Sequence, residues 1–322
     1  MKEKVKNIFS FFLRFGLSAG LLFYLFKNID LNKSAVLLKT ADVIYLFYAG
    51  LVFLVINGIL LLRWFLYVRA LGLQVPLVSV IRYFFIGLFG NLFLPSAIGG
   101  DVIKIFGLCV HTSQKAKVVA SVILDRLSGF AGMAVVAIVS FAFGSRLIDD
   151  MSLVFSISGM FVASAGFAVI LFNRRIYSFC CQIFSRLPKL QKSLMNLHDD
   201  IALLKNRQDA LWIAVGLSCV AQILAAISFF FIAKALHQDI RLVYFIIFMP
   251  LICVAASMPS IGGLGVREAG AAYLFAKVGV ESGISVSISL INFLFMVLAG
   301  LIGGIIYLAT RPSLRGDKSA NL

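Results

Sequence analysis

Apolar runs long enough to cross a lipid bilayer recur along this chain, near residues 8–26, 43–62, 118–143, 152–172, 211–233 and 284–309. A hydrocarbon core of roughly 30 Å needs about 20 apolar residues in helical form, because each residue advances a helix by about 1.5 Å. Inside that core no water satisfies a bare amide or carbonyl, so a spanning segment must pair its own backbone, as a helix does. Composition leaves the bilayer as the solvent for most of the chain. Of 322 residues, 61% are hydrophobic and 13% charged, and the mean hydropathy is +1.02. A soluble domain carries about 25% charged residues. The runs imply an all-α polytopic membrane protein.

Two further apolar regions, 83–110 and 244–276, are interrupted in the middle by Pro, Gly and charge. The remaining pieces, of about 10 to 17 residues, suit re-entrant or broken helices better than full spans. The first break reads LPSAIGGDVIK over 94–104 and the second MPSIGGLGVRE over 258–268. The stretches before them also correspond, RALGLQVPLVSVIRYFF over 69–85 and KALHQDIRLVYFI over 234–246. Each half therefore reads as two spans, a broken pair and one span, giving about six full spans plus two broken or re-entrant helix pairs. Three crossings per half is odd, so the second half is expected upside down, as in an inverted repeat. The expected divisions are 1–150 as the first membrane repeat and 151–172 as the first span of the second. A cytoplasmic basic linker follows at 173–210, then the rest of the second repeat at 211–310 and a short basic tail at 311–322.

Charge sets the expected orientation. The net charge of +15 lies mainly in short loops between apolar runs, which argues against nucleic acid as a partner. With the N-terminus in the cytoplasm, 18 of the 29 Lys and Arg fall on cytoplasmic segments and 7 outside. That bias is the ordinary orientation signal of a multi-pass protein. It predicts a cell (cytoplasmic or inner) membrane protein with both termini cytoplasmic. Lys2, Lys4 and Lys6 before an apolar stretch resemble a signal peptide, but Arg14 interrupts that stretch, so an uncleaved first span is expected.

Recognisable catalytic patterns are missing from the sequence. His111, His198 and His237 lie in separate loops, and the five cysteines form no CxxC. Asp149-Asp150 and Asp199-Asp200 sit in no loop large enough for a nucleotide sugar, and there is no P-loop. Neither an enzyme, a metal nor a cofactor is expected.

The candidate site residues lie at the breaks and at charges within apolar sequence. Pro95 with Gly99 and Gly100 stops one helix and starts another, since proline lacks an amide donor and glycine tolerates unusual backbone angles. The amides at the new N-terminus, with Lys104 one turn on, form a ready anion site. The alternative is an interfacial turn with Asp101 as its N-cap. Pro259, Gly262, Gly263 and Gly265, followed by Arg267 and Glu268, repeat the pattern. Two equivalent breaks that each end in charge favour a substrate pathway, because charge at membrane depth is costly. Asp125 and Arg126 open a third site, with Ser121, Asp125 and Gly129 on one helix face. They read either as an intramembrane ion pair or with Arg126 holding a phosphate. Arg63, beside Trp64, reads either as a snorkelling anchor or as a headgroup ligand. Gly300, Gly303 and Gly304 read as a helix-packing surface.

Taken together, NLFLPSAIGGDVIKIFGL, SVILDRLSGF, PSIGGLGVREAG and RWFLYVRALG resemble the transmembrane flippase domain of lysylphosphatidylglycerol synthases. The resemblance covers about 10–310 and points to a stand-alone, UPF0104-type member. It implies movement of a phospholipid or lipid-linked headgroup between leaflets, with membrane lipids as partners. A homo-oligomer or a separate synthase is compatible with it. The synthases carry a soluble aminoacyl-transferase domain after the membrane part. This chain ends about a dozen residues after its last span, so lysine transfer is not expected of it. Two other classes stay open: a membrane-embedded enzyme or accessory subunit of lipid or cell-envelope glycan synthesis, and an ion-coupled small-solute transporter.

Overall fold

The computed structural model describes residues 40–93, 99–144, 207–256 and 264–310, with six isolated positions between 158 and 175. The described residues form eight helices and no strand. They are α1 (Val43–Ala70), α2 (Leu77–Phe93), α3 (Gly99–Cys109), α4 (Lys115–Gly144), α5 (Gln208–Ala235), α6 (Leu242–Ala256), α7 (Val266–Ala276) and α8 (Ser282–Thr310). Four of them, α1, α4, α5 and α8, are long and apolar enough to cross a membrane. They correspond to four of the six expected runs. The other two, 8–26 and 152–172, lie outside the described residues, as do Pro95, Pro259, Gly262, Gly263 and most of the 173–210 linker.

The helix pattern repeats. Lengths run 28, 17, 11 and 30 residues from α1 to α4, and 28, 15, 11 and 29 from α5 to α8. Val43 to Gln208 is 165 positions, Leu77 to Leu242 is again 165, and Lys115 to Ser282 is 167. Local chemistry repeats as well. At the end of α1, Gly72 N–H donates to the Arg69 carbonyl and Leu73 N–H to that of Val68. At the end of α5, His237 N–H donates to Lys234 and Gln238 N–H to Ala233. Both helices thus close on a residue of positive φ, +71° at Gly72 and +58° at His237. Glycine holds that conformation without strain and histidine does not. His237→Gly is therefore expected to stabilise the protein by about 0.5–1 kcal/mol, read as a raised thermal midpoint in detergent. A lowered midpoint would refute the strain assignment.

The described helices gather into two compact units, each drawing on both halves of the sequence. In one unit α1, α4, α5 and α6 (to Val254) pack together. Asp42 starts α1 by accepting the Ile44 amide on its carboxylate, and its own N–H donates to Ala235 at the end of α5. Further along, the Ser228 hydroxyl bonds the Ala49 carbonyl, and Arg63 reaches Ser218. Positions rise along α1 as they fall along α5. The two equivalent helices are antiparallel. Tyr67, Leu71, Ala120, Leu124, Leu127 and Ala214 form a core among α1, α4 and α5. On their outer sides α1 and α5 expose Val43, Phe47, Leu54 and Trp212, apolar surface that suits acyl chains.

The other unit holds α2, α3, α7 and α8. A built Cβ at Gly107 would strike the Tyr83 ring, one at Gly87 would meet Lys104, and one at Gly100 would strike Asn91. These pairings run in opposite directions along α2 and α3, which therefore form a tight helical hairpin. Along α8, Gly300 fits against Leu92, Gly303 against the Phe85 backbone and Gly304 against the Phe89 ring. The triplet is packing surface, as its spacing implied. Ala272 and Val286 are the buried centre of the α7–α8 contact. Pro250 lies inside α6 without ending it, so the helix stop lies beyond it, toward the second break.

Candidate functional sites

Each unit buries its own charges. In the first, Arg63 sits seven residues before the end of α1 and is only 7% exposed. At about 1.5 Å per residue, that places it roughly 10 Å inside the helix end. Its Nε donates to Asp125 Oδ1 on α4 at 2.7 Å, and Nη1 donates to Ser218 Oγ on α5 at 2.8 Å. Three apolar helices are thus joined through one guanidinium. Small residues make the room: a Cβ at Gly129 would lie 3.2 Å from Arg63 Nη1, and one at Gly132 would strike Ser218. Trp64 Nε1 donates to Ser121 Oγ at 3.3 Å, and Ser128 Oγ donates to the Asp125 carbonyl. Ser121, Asp125 and Gly129 do share one face, and it is the face that meets α1. The Arg63 head is buried in this pair. Asp125 pairs with Arg63 rather than with the adjoining, half-buried Arg126.

In the second unit, α3 begins at Gly99, and the Gly100 N–H donates to Asn91 Oδ1 at 2.8 Å. A side chain from α2 thereby caps α3 from across the hairpin. Asp101 is the third residue of the helix, not its N-cap. Its carboxylate lies 3.6 Å from the Lys104 ammonium, which also rests 5.0 Å from the Phe84 ring centroid. Asp101 and Lys104 are 7% and 8% exposed.

The start of α7 is the counterpart. Gly265 precedes it at φ +83°, and its N–H donates to Glu268 Oε2 at 2.7 Å. The Glu268 carboxylate is fully buried. Its Oε1 accepts from Arg267 Nη2 at 2.7 Å, from Arg267 Nε at 3.1 Å and from Ser289 Oγ at 2.9 Å. Arg267 Nε also donates to Ser289 Oγ, its Nη1 lies 3.1 Å from Met296 Sδ, and its plane is 5.5 Å from the Phe293 ring centroid. Asp101 and Glu268 hold the same third position of equivalent helices.

The structure thus brings together Arg63 with Asp125, Asp101 with Lys104 beside Gly99 and Gly100, and Arg267 with Glu268 beside Gly265. Sequence reading missed Asn91, Ser218 and Ser289. The available signal was the isolated amide or hydroxyl inside an otherwise apolar run, since polar groups at membrane depth are kept only with partners. Among the described residues no cluster of His, Cys, Asp and Glu could hold a metal ion.

Residues 11–304, which include all three sites, match the family described as the lysylphosphatidylglycerol synthase TM region. The chain belongs to that family. A similar protein is the UPF0104 membrane protein PH1989 of Pyrococcus horikoshii, 24% identical over 310 residues, covering 88% of this chain and 92% of that protein. No solved structure matches the chain. Membership of the lysylphosphatidylglycerol synthase TM region family and the four long apolar helices make this a helical, multi-pass membrane protein.

Proposed function

We propose that the chain is a flippase-like transporter that moves a phospholipid or lipid-linked headgroup between leaflets. The observation that carries this reading is the antiparallel packing of α1 on α5, equivalent helices of the two halves. An inverted repeat, with its axis in the membrane plane, places equivalent helices in opposite directions. That arrangement underlies alternating access in many transporters, and here each half contributes one helix break beside buried charge. Lys104 and Arg267 supply the positive charge for an anionic headgroup, while acyl chains stay in lipid. The basic segments orient the protein with both termini in the cytoplasm, in the cytoplasmic membrane. Its partners on this reading are membrane lipids, and it performs no covalent chemistry of its own.

The test is leaflet exchange. Full-length protein in liposomes containing fluorescent phosphatidylglycerol is expected to make nearly all of the label bleachable by external dithionite. Protein-free vesicles should bleach only their outer leaflet, and Arg267→Ala should slow the exchange. Failure to exchange any phospholipid or polyprenyl phosphate would sink the reading. Equal rates for wild type and variant would remove Arg267 from the mechanism.

A further inference from the structure

Among the described residues, buried carboxamides and charged side chains are paired, with one exception. Asn57 Nδ2 donates to the Phe53 carbonyl, and Gln222 Nε2 lies 3.8 Å from Cys253 Sγ. Asn292, on α8, is 9% exposed, and its carboxamide has no hydrogen-bond partner among the described residues. An amide both donates and accepts, and a buried one left unpaired is costly in apolar surroundings. Asn292 follows Ser289 by three residues and precedes Met296 by four, so all three share one helix face. Ser289, Phe293 and Met296 on that face all meet Arg267 at the start of α7.

The guanidinium is itself incompletely satisfied. Glu268 and Ser289 occupy Nε and Nη2, but among the described residues Nη1 has only the Met296 thioether. Sulfur is a weak acceptor, and a phosphate oxygen is a far better one. An unpaired amide and an underused cationic nitrogen therefore lie on one side of one helix start.

We propose that Asn292 and Arg267 Nη1 together form a two-point site for a phosphate group, with the Met296 sulfur holding the anion's place until it arrives. The amide donates to one phosphate oxygen while Nη1 turns from sulfur to another. Glu268 and Ser289 hold the guanidinium plane fixed for this. The inference deepens the transport reading and rests on it for the identity of the guest, a phospholipid headgroup. The recognised chemistry, a phosphate, is shared with the free anion.

The experiment titrates purified full-length protein in detergent with dioleoyl phosphatidylglycerol or inorganic phosphate, following the thermal midpoint. Asn292→Leu should weaken the apparent affinity about tenfold, the worth of one hydrogen bond to a charged group. Its ligand-free midpoint should equal or exceed wild type, because it removes an unpaired buried amide. Asn292→Ala, which adds no bulk, carries the same expectation for affinity. Asn292-dependent stabilisation by the lipid alone assigns a headgroup, and stabilisation by phosphate as well assigns the bare anion; either supports the site. Unchanged affinity in both variants, or no response of wild type to either probe, would overturn it. Asn292-dependent binding without leaflet exchange would keep the site and sink the transport reading. Exchange with unaltered affinity in the variants would do the reverse.

Discussion

Replacing Arg63 with methionine is expected to cost about 3–5 kcal/mol of stability, because it strands a buried carboxylate. Asp125 loses its 2.7 Å ion pair and Ser218 loses the donor at 2.8 Å, both among apolar helices where water does not substitute. Methionine fills much of the volume, so the loss is electrostatic rather than a cavity. The double variant Arg63→Met with Asp125→Leu should regain most of the stability, since well-packed apolar residues often replace a buried pair at little cost. Trp64 is the natural reporter, being buried next to Arg63 and bonded to Ser121, whereas Trp212, the second tryptophan, is largely exposed. Denaturant unfolding in micelles, followed by tryptophan emission, gives the four corners of the cycle. A loss in the double variant equal to the sum of the two single losses would show that the pair contributes no coupling, and that Arg63 acts only through packing.

This pair also marks the boundary of what the sequence discloses. Apolar runs and their Pro, Gly and charge interruptions are local, so the helices and the two break regions were readable from composition and spacing. Ser121, Asp125 and Gly129 were readable as one face because helical periodicity fixes which residues align. The identity of the facing partner was not. Arg63 is 62 positions from Asp125 and 155 from Ser218, and no local rule joins them. Arg63 read either as a snorkelling anchor or as a headgroup ligand, just past an apolar run that ends at Leu62, yet α1 continues to Ala70. Asn91 escaped notice for a similar reason, since capping Gly100 from α2 requires the hairpin to close. The exchange of helices between halves to build each compact unit is likewise a matter of packing that no linear division into repeats contains.

The second large effect is expected at Gly303, where no charge is involved. A Cβ there would collide with the Phe85 carbonyl, and the two neighbouring glycines, Gly300 and Gly304, lie against Leu92 and Phe89 of the same helix. Side chains of Leu92 and Phe89 can rotate away from an added methyl group. The Phe85 backbone cannot, so Gly303→Ala must push α8 from α2. Overpacking typically costs about 1–3 kcal/mol, and a backbone collision belongs at the upper end, about 3 kcal/mol. The opposing gain in helix propensity from glycine to alanine is only about 1 kcal/mol, so destabilisation wins. Gly216 on α5 is the control, having nothing within 4 Å of its built Cβ; there alanine should stabilise, or leave the thermal midpoint unchanged. Within a bilayer, apolar side chains gain little by leaving lipid for one another, and helix association depends on close van der Waals approach at small residues. Gly303→Ala should accordingly lower the thermal midpoint and loosen the α2–α8 seam. Cross-linking of a cysteine pair placed at Phe89 and Gly304 reports on that seam directly. A Gly303→Ala protein with the wild-type midpoint and wild-type cross-linking would mean that this seam is not the tight contact on which the second unit depends.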